Sequence, residues 1–554
     1  MLNQIVINRL TLLRWRIFYR MLSTKIYKAS GDSFQIDICE CWEYKAGVDG
    51  VYGTPRSSGR VHRHRRHAEH ARCLLWSIRA TGPGIRKRSS VLSTAENELM
   101  CRVGPGTAMG DLLRVYWIPA LAPDDMPTPD GPPLRMRLLG ENLIAFRTTS
   151  GQFGLIQNAC PHRGASLFFG RNEEEGLRCV YHGWKFDVTG ACVDMPSEPA
   201  ESNFKNKVHA RAYPCVERNG IVWTYMGSRE TLPPLPAITY NLDEDCRINR
   251  FVEDCNFMQA LVGDIDTVHF GFLHCGHIRP EDAVYQSCDY YAFKQRHMDI
   301  VTIEHEVGTT YGAIRPAEET TDNWRIGHFM LPFYTQAANG VLGLRASMRA
   351  WVPIDDEHTM VWGIGTAQLA DRDAVGIGGL RQSGGRNDPL GRFGPTMGGR
   401  GTQPFLPDTS DWIGRFRPTA NMSNDYLIDR ELQSAVDMDP SRPQTGTYSG
   451  VPNGAQDPLT QETMGSIYDR TLEHLGTTDG MIIRTRHKIL RAAKALRDEG
   501  VAPPGVDSPS LYQLQSGGAN VPKGVNAIEA CWDILFNGAQ LSDVGTKVVI
   551  PSAG

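Results

Sequence analysis

The sequence lacks any uninterrupted apolar run of the roughly 18 residues that a membrane-spanning helix needs. It also lacks a regular cysteine framework, because 13 cysteines scattered over 554 residues are too few and too irregularly spaced for a disulfide-stapled secreted scaffold. We therefore expect a cytoplasmic protein with neither a membrane nor, at a net charge of −4, a nucleic-acid partner. A hydrophobic share of 41% allows two or three ordinary globular domains.

Acidic residues are scarce at the start of the chain. Residues 1–90 carry 17 Lys or Arg against 6 Asp or Glu, whereas the remainder carries 41 against 56. An Arg-rich start is typical of a transit peptide, and the histidines between residues 62 and 70 could bind metal. Because no hydrophobic period of 2 or 3.6 is sustained here, we instead expect residues 1–91 to be a disordered basic extension, or translation from a start codon assigned too early.

Two short loops each combine one cysteine with one histidine. Cys160 and His162 form the first pair, Cys179 and His182 form the second, and sixteen residues separate the pairs. A Rieske [2Fe–2S] cluster needs this combination, since two thiolates hold one iron and two imidazoles hold the other. Structural zinc sites are also built from Cys and His, but their signatures usually place Cys with Cys and His with His. The spacing therefore favours a Rieske cluster over zinc.

Strand and turn signals surround these loops. The sequence predicts strands about Gly140 and at 153–157, 177–181, 184–188 and 191–195, and a hairpin about Asn219-Gly220. Together they predict a small antiparallel β domain over residues 92–230. The segment 231–237, T-L-P-P-L-P-A, reads as an extended linker to the next domain.

A second candidate metal site lies in the stretch 254–274, most of which has helical hydrophobic spacing. Asp266 and His269 are three residues apart and share a face, whereas His274 returns to that face only if the helix loosens or ends. A single histidine here would more often be a hydrogen-bonded core residue. Two at this spacing, downstream of a cluster motif, favour metal ligation.

The rest of the chain predicts a catalytic domain over residues 231–500 and a C-terminal tail, 501–554, that packs on it. The runs between 290 and 370 suit a curved antiparallel sheet wrapped round the helix. The ten glycines of 371–401 indicate a long surface loop, either a lid or disordered. Helices are expected at 460–475 and 479–499, and both look structural.

A third metal ligand is sought in the predicted helix 423–436, capped by Ser423 or Asn424. Its residues Asp425 and Asp429 share a face, so either carboxylate could complete the site. Both could equally be first-turn charges that complement the helix dipole.

Two histidines and one carboxylate on one side of an iron leave positions open for O2 and substrate, and such an iron needs electrons from outside. A Rieske cluster on the same chain supplies them, whereas a non-catalytic electron carrier has no use for a second metal motif.

At this point the chain resembles the oxygenase component of Rieske non-heme iron ring-hydroxylating oxygenases, most closely the phthalate 4,5-dioxygenase type. The resemblance runs from about Leu92 to about residue 510. It rests on six motifs: C-R-V-G-P-G-T-A-M-G (101–110), Y-W-I-P-A (116–120), C-P-H-R-G-A-S-L-F-F-G-R-N-E-E (160–174), C-V-Y-H-G-W-K-F-D (179–187), D-M-P-S-E-P (194–199) and M-G-S-I-Y-D-R-T-L-E-H-L-G (464–476).

The resemblance implies an α+β fold in which an antiparallel β Rieske domain precedes a helix-grip catalytic domain, in homotrimers or stacked trimers. It implies a mononuclear Fe(II) held by His269, His274 and Asp425. It further implies that electrons pass from His182 of one subunit towards the iron of the next. Asp266 is expected to bridge the gap by hydrogen bonds to His182 and to the ring of His269. The implied partners are an NADH-dependent flavin and iron–sulfur reductase, O2 and a small aromatic substrate.

The expected reaction is hydroxylation of an aromatic substrate, aromatic carboxylates included, by cis-dihydroxylation. The alternative is mono-oxygenation that leads to O- or N-dealkylation, since the same iron site supports both outcomes. Phe270 follows His269 where phthalate-type members carry small polar residues that face the substrate. This bulky apolar side chain argues against phthalate itself.

Overall fold

The computed structural model divides the chain into two compact units, residues 1–89 and 90–554. In the first unit the structure describes an antiparallel pair, β1 (Asp37–Ile38) and β2 (Trp76–Ser77). In the second it describes residues 92–537, apart from 200, 243, 245, 277–287, 339–340, 343–346, 367–404, 438 and 440–445. The predictions made for the glycine-rich loop 371–401 and, beyond that strand pair, for residues 1–91 therefore lie outside the described residues.

Two helices open the second unit, α1 (Thr94–Cys101) and α2 (Ala108–Arg114). Helix α1 begins at Thr94 because Ser93 caps it: the Ser93 hydroxyl accepts a hydrogen bond from the Glu96 amide, and the Glu96 carboxylate accepts one from the Ser93 amide. This reciprocal capping satisfies two amides that a helix start otherwise leaves unpaired.

Three small antiparallel sheets follow, with strand orders β10-β9-β8-β7, β11-β6-β5-β4 and β12-β13-β3. The predicted hairpins are confirmed, because the chain turns at Leu139-Gly140 and at Asn219-Gly220 with positive φ at all four residues. The strands are β3 (Trp117–Leu121), β4 (Leu134–Leu138), β5 (Glu141–Arg147), β6 (Phe153–Gln157), β7 (Arg171–Glu173), β8 (Gly176–Arg178), β9 (Lys185–Phe186), β10 (Cys192–Asp194), β11 (Ala212–Tyr213), β12 (Cys215–Arg218) and β13 (Ile221–Tyr225).

A larger antiparallel sheet forms the next part of the fold, with the order β14-β20-β19-β18-β17-β16-β15 and a further strand, β21, beside β17. Its strands are β14 (Cys246–Glu253), β15 (Asp299–Glu304), β16 (Gly308–Pro316), β17 (Thr321–Met330), β18 (Tyr334–Gln336), β19 (Met348–Pro353), β20 (Thr359–Thr366) and β21 (Gly517–Pro522). Two helices, at 257–265 and 480–499, pack against this sheet. The α+β class, with antiparallel β sheets followed by a sheet that grips a helix, is confirmed.

The helices of this part are α3 (Phe257–Ile265), α4 (Phe270–Leu273), α5 (Cys288–Lys294), α6 (Arg430–Ser434), α7 (Asn453–Glu462), α8 (Gly480–Glu499), α9 (Ala527–Ala530) and α10 (Trp532–Asn537). Helix α8 ends as predicted, at Gly500 with a φ of 66°. The helix expected at 460–475 is wrong, because α7 lies earlier in the chain. The run 290–294, read as a strand, belongs to α5.

The helix predicted over 423–436 is also wrong. Asp425, Tyr426 and Leu427 have φ values of 50°, 54° and 55°, a left-handed backbone that no right-handed helix contains. A short 3-10 segment, Met422–Leu427, is capped instead by Asn421. Helix α6 begins only after Asp429, whose carboxylate accepts hydrogen bonds from the amides of Glu431 and Leu432. Throughout the described residues, no helix is both long enough and apolar enough to cross a bilayer.

Candidate metal centres

The two Cys–His loops close in the same way. The Cys160 amide donates to the Ala165 carbonyl at 2.8 Å, and the Gly164 amide donates back to the Cys160 carbonyl at 2.9 Å. In the second loop Cys179 bonds Trp184 at 2.8 Å, and Gly183 bonds Cys179 at 3.0 Å. Each loop turns at a glycine four residues after its cysteine, with φ of 78° and 76°, a conformation that favours glycine.

The loops bring all four predicted cluster residues to one place. Both cysteines are 3% exposed, and the His162 and His182 rings lie 4.3 Å apart between centroids. His162 stacks on Trp184 at 4.2 Å, and its Nδ1 atom is buried without a hydrogen-bond partner. A buried nitrogen without a partner is costly unless something binds it. Two buried thiols beside such an imidazole fit the donor set of a Rieske cluster.

The pKa shifts of Cys160 and His182 also agree with a Rieske donor set. Burial and, to a smaller extent, the neighbouring Cys179 thiol raise the pKa of the Cys160 thiol to about 11, while a backbone hydrogen bond from His162 opposes the shift. Without a metal, Cys160 is therefore a neutral thiol at neutral pH, and coordination is what makes it a thiolate. Loss of solvation, with smaller contributions from His162 and Arg163, lowers the pKa of His182 and favours the neutral imidazole that binds metal.

The second site lies where helix α3 ends. Asp266 follows its last residue, and the Asp266 Oδ1 atom accepts hydrogen bonds from the amides of Val268 at 2.8 Å and His269 at 3.4 Å. These bonds replace helical ones, so the chain breaks before α4 and the five-residue step can bring His274 beside His269. The Nε2 atoms of the two histidines are 3.2 Å apart.

A carboxylate that the sequence did not identify, Asp457, lies beside these two histidines, and the three residues could hold a metal ion. The Asp457 Oδ1 atom lies 3.5 Å from His269 Nε2 and 3.4 Å from His274 Nε2. Adjacent ligands of an octahedral metal with bonds of about 2.1 Å lie roughly 3 Å apart, so the three atoms fit one face of an iron. Asp425, the predicted ligand, is exposed and lies outside this group because its segment is a left-handed turn rather than a helix. Asp429 is engaged as the cap of α6.

Gln456, the neighbour of Asp457, fixes the orientation of one ligand. Its Oε1 atom lies 2.6 Å from His274 Nδ1, and its amide nitrogen donates to Ser449 Oγ at 2.9 Å. An amide oxygen can only accept a hydrogen bond, so His274 carries its proton on Nδ1. Its Nε2 lone pair is then available for a metal on the side of the ring where Asp457 and His269 lie. Helix α7 thus supplies both the carboxylate beside the two histidines and the residue that selects the tautomer of His274.

A buried cation adjoins this site. Arg325 on β17 is 4% exposed, donates to Thr267 Oγ1 at 2.8 Å and places its guanidinium carbon 4.3 Å from the centre of the Phe270 ring. That ring packs on His274, with centroids 5.5 Å apart. Burial lowers the pKa of His269; Asp457 opposes this shift, while His274 and Arg325 add to it. A fixed positive charge and an apolar ring therefore stand beside the three ligands.

Comparison with known proteins agrees with this geometry. Residues 116–214 match the Rieske [2Fe-2S] domain family, and residues 408–529 match the family described as LigXa C-terminal domain like. The chain is 42% identical over 441 residues to the 3-chlorobenzoate-3,4-dioxygenase oxygenase subunit of Comamonas testosteroni, a match covering 78% of this chain and 96% of that protein.

Two further relatives are more distant. The chain is 33% identical to the phthalate 4,5-dioxygenase oxygenase subunit of Pseudomonas putida, over 74% of this chain and 87% of that protein. It is 35% identical to the 5,5'-dehydrodivanillate O-demethylase oxygenase subunit of a Sphingobium strain, over 49% of this chain and 62% of that protein.

The chain belongs to the oxygenase subunits of the Rieske non-heme iron oxygenases. It is accordingly an oxidoreductase that incorporates oxygen from O2, and its cofactors are a Rieske [2Fe–2S] cluster and a mononuclear iron.

Proposed function

We propose that the cluster is held by Cys160, His162, Cys179 and His182, and the mononuclear iron by His269, His274 and Asp457. The buried thiols, the partnerless His162 Nδ1 atom and the 3.2 to 3.5 Å triangle of ligand atoms support these two sets. The cluster supplies electrons, and the iron supplies a site at which O2 is activated beside the substrate. We assign the cluster domain to residues 92–230 and the iron domain to residues 231–500, with the tail packed on the latter.

The proposed substrate is an aromatic carboxylate, and the observation that carries this is Arg325. Its guanidinium is a permanent cation, and its planar fork of N–H donors matches a carboxylate. Its contact with Phe270 aligns charge and apolar surface as an aromatic acid presents them. The substrates named for 3-chlorobenzoate and phthalate dioxygenases are such acids.

The proposed reaction is cis-dihydroxylation, by analogy with two dioxygenase relatives that match most of the chain. The second candidate is O-demethylation after mono-oxygenation. It is favoured by the O-demethylase relative, which covers a smaller part of both chains.

We further propose that the oxygenase is a homotrimer, or two stacked trimers, in which Asp266 relays electrons between subunits. The Asp266 Oδ1 atom is occupied by two backbone amides, whereas Oδ2 accepts no hydrogen bond from the described residues. The expected bond between Asp266 and the His269 ring is not formed within the chain, since the carboxylate holds His269 through its amide instead. The free Oδ2 atom is therefore the acceptor that we assign to His182 of a neighbouring subunit. The proposed electron donor is an NADH-dependent flavin and iron–sulfur reductase.

Replacing Arg325 by Met tests the proposed substrate class. The change keeps an apolar side chain against Phe270 but removes the charge, so we expect kcat/KM for aromatic carboxylates to fall about 10- to 100-fold, the worth of about 1.5–3 kcal/mol for a charge-assisted hydrogen bond. Steady-state oxygen uptake over a panel of benzoates measures this effect.

Matched uncharged substrates provide the control. For the methyl esters or amides of the same acids, kcat/KM should be about the same in Arg325→Met and in the wild type. Arg325→Lys should recover part of the activity on the acids. An equal loss on acids and esters would show that Arg325 supports the fold rather than the substrate.

A further inference from the structure

The tight turn between β19 and β20, residues 354–358, is a junction between the two metal-bearing parts of the second unit. The amides of Leu139 and Gly140, at the β4–β5 turn, donate to the carbonyls of Pro353 at 3.1 Å and Ile354 at 2.9 Å. Beside them the Arg137 guanidinium on β4 pairs with Asp355 at 2.8 Å. One strand of the cluster-bearing sheets is thus fixed to this turn by both backbone and charge.

From Arg137 the contacts continue to the first cluster loop. Its Nη1 atom donates to Asn142 Oδ1 at 2.8 Å, and the Asn142 carbonyl accepts from the Asn158 amide at 3.1 Å. Asn158 lies two residues before Cys160, and its side chain accepts from Ser166 Oγ at 2.6 Å. The turn therefore has a continuous hydrogen-bonded connection to the loop of Cys160.

A second set of contacts leads to helix α7, which carries Asp457. The Asp254 amide, just after β14, donates to Glu462 Oε1 at 3.0 Å, and the Tyr426 hydroxyl donates to Glu462 Oε2. Glu462 is the last residue of α7 and is 5% exposed. Its carboxylate thus holds the end of the helix that carries Asp457 against Asp254, three residues before α3.

His358 lies between these two sets of contacts. Its Nδ1 atom is 2.8 Å from Asp355 Oδ1, and its Nε2 atom is 3.8 Å from Asp254 Oδ1. Asp254 also pairs with Arg417, so the groups that face the imidazole are two carboxylates and, behind them, Arg137 and Arg417. A neutral ring would keep its Nδ1–H bond to Asp355 but would turn a lone pair towards Asp254. Only the imidazolium attracts both carboxylates.

We propose that His358 is a positioning residue whose protonated ring joins Asp355 to Asp254, and so ties the helix that carries Asp457 to the hairpin that leads to Cys160. The contacts of His358 themselves do not involve the metals. Only their consequence, a connection between the two metal sites, rests on the ligand roles proposed above. It adds to the enzyme a charge-dependent link between the two metal-bearing parts of one chain.

The direction of the pH dependence follows from these neighbours. The hydrogen bond to Asp355 raises the pKa of His358, burial opposes the shift, and Asp355 and Asp254 add to it through their charge. Because the folded-state pKa lies above the ordinary value of about 6.5, the link is complete below that value and is lost as the pH rises through the raised pKa.

Hydrogen–deuterium exchange of the holoprotein tests the proposal without any substrate. The readout is the Asp254 amide, which donates to Glu462, followed in a peptide that contains it and corrected for the pH dependence of intrinsic exchange. We expect its protection in the wild type to fall about fivefold as the pH rises through the His358 titration, the scale of a partly exposed ion pair. His358→Gln should show the lower protection at every pH, with no step.

Two further variants keep the test decisive. Asp254→Asn retains the amide but not the carboxylate and should abolish the pH step, whereas Glu357→Gln, an exposed carboxylate on the same turn, should retain it. A step that survives in His358→Gln, or that is lost equally in Glu357→Gln, would overturn the proposal. Because no turnover is measured, failure here leaves the substrate assignment untouched, and failure of that assignment leaves this link untouched.

Discussion

Asp457→Ala should remove the mononuclear iron and abolish product formation while leaving the visible and EPR signature of the [2Fe–2S] cluster intact. Its Oδ1 atom is within 3.5 Å of both histidine Nε2 atoms, so its loss removes one of the three proposed protein ligands. Loss of an outer partner of a ligand typically costs about 10- to 100-fold in metal affinity, and loss of the ligand itself should cost more. Iron analysis after anaerobic reconstitution, with sulfide content as the internal reference, measures the effect.

Asp425→Ala is the matched control for this experiment. Asp425 is an exposed carboxylate on a left-handed turn, so its replacement should leave iron content and activity near those of the wild type. Iron loss in Asp425→Ala together with full occupancy in Asp457→Ala would reverse the ligand assignment.

Asp266→Asn should keep both metal centres loaded and yet slow oxidation of the reduced cluster by orders of magnitude in a single turnover. The amide side chain can still accept the bonds from the Val268 and His269 amides, so the break after α3 persists. It removes the negative charge of the Oδ2 atom that we assign to His182 of the neighbouring subunit. Stopped-flow absorbance of the cluster, after substrate and O2 are added, follows this step.

Asp264→Asn is a control from the last turn of α3. Asp264 pairs with Arg349 and accepts a hydrogen bond from Thr335 within the chain. Its replacement should therefore lower the thermal stability but leave the rate of cluster oxidation close to that of the wild type. Wild-type reoxidation in Asp266→Asn, with cluster and iron both present, would remove Asp266 from the electron path.

The parts of the fold that local chemistry determines were predictable from the sequence. Gly140 and the Asn219-Gly220 pair predicted their hairpins because those turns need positive φ. The end of α8 at Gly500 follows from the same preference. The two Cys–His loops were recognisable because each pair of donors lies within four residues, so that local geometry alone brings it together.

The proposed third iron ligand, Asp457, could not be found in this way. His274 and Gln456 are 182 residues apart in sequence and meet only because α7 packs against α3. Asp425 offered a plausible helical spacing, but Asp429 caps the following helix and three consecutive left-handed residues precede it, which no hydrophobic period reveals. A weak signal did exist in the sequence Gln456-Asp457-Pro458. It places two polar side chains directly before a proline, where a helix cannot be regular.

We propose that this chain adds oxygen to an aromatic carboxylate at an iron that receives electrons from the Rieske cluster of a neighbouring subunit. The most direct measurement is a single turnover of the fully reduced holoprotein with labelled O2 and a panel of benzoates, in which the mass of the product is recorded. We expect a dihydrodiol that carries both labelled oxygen atoms. Oxidation of the cluster without labelled product across the panel, or a dealkylated aromatic product without label because the labelled oxygen left in the released aldehyde, would contradict this proposal.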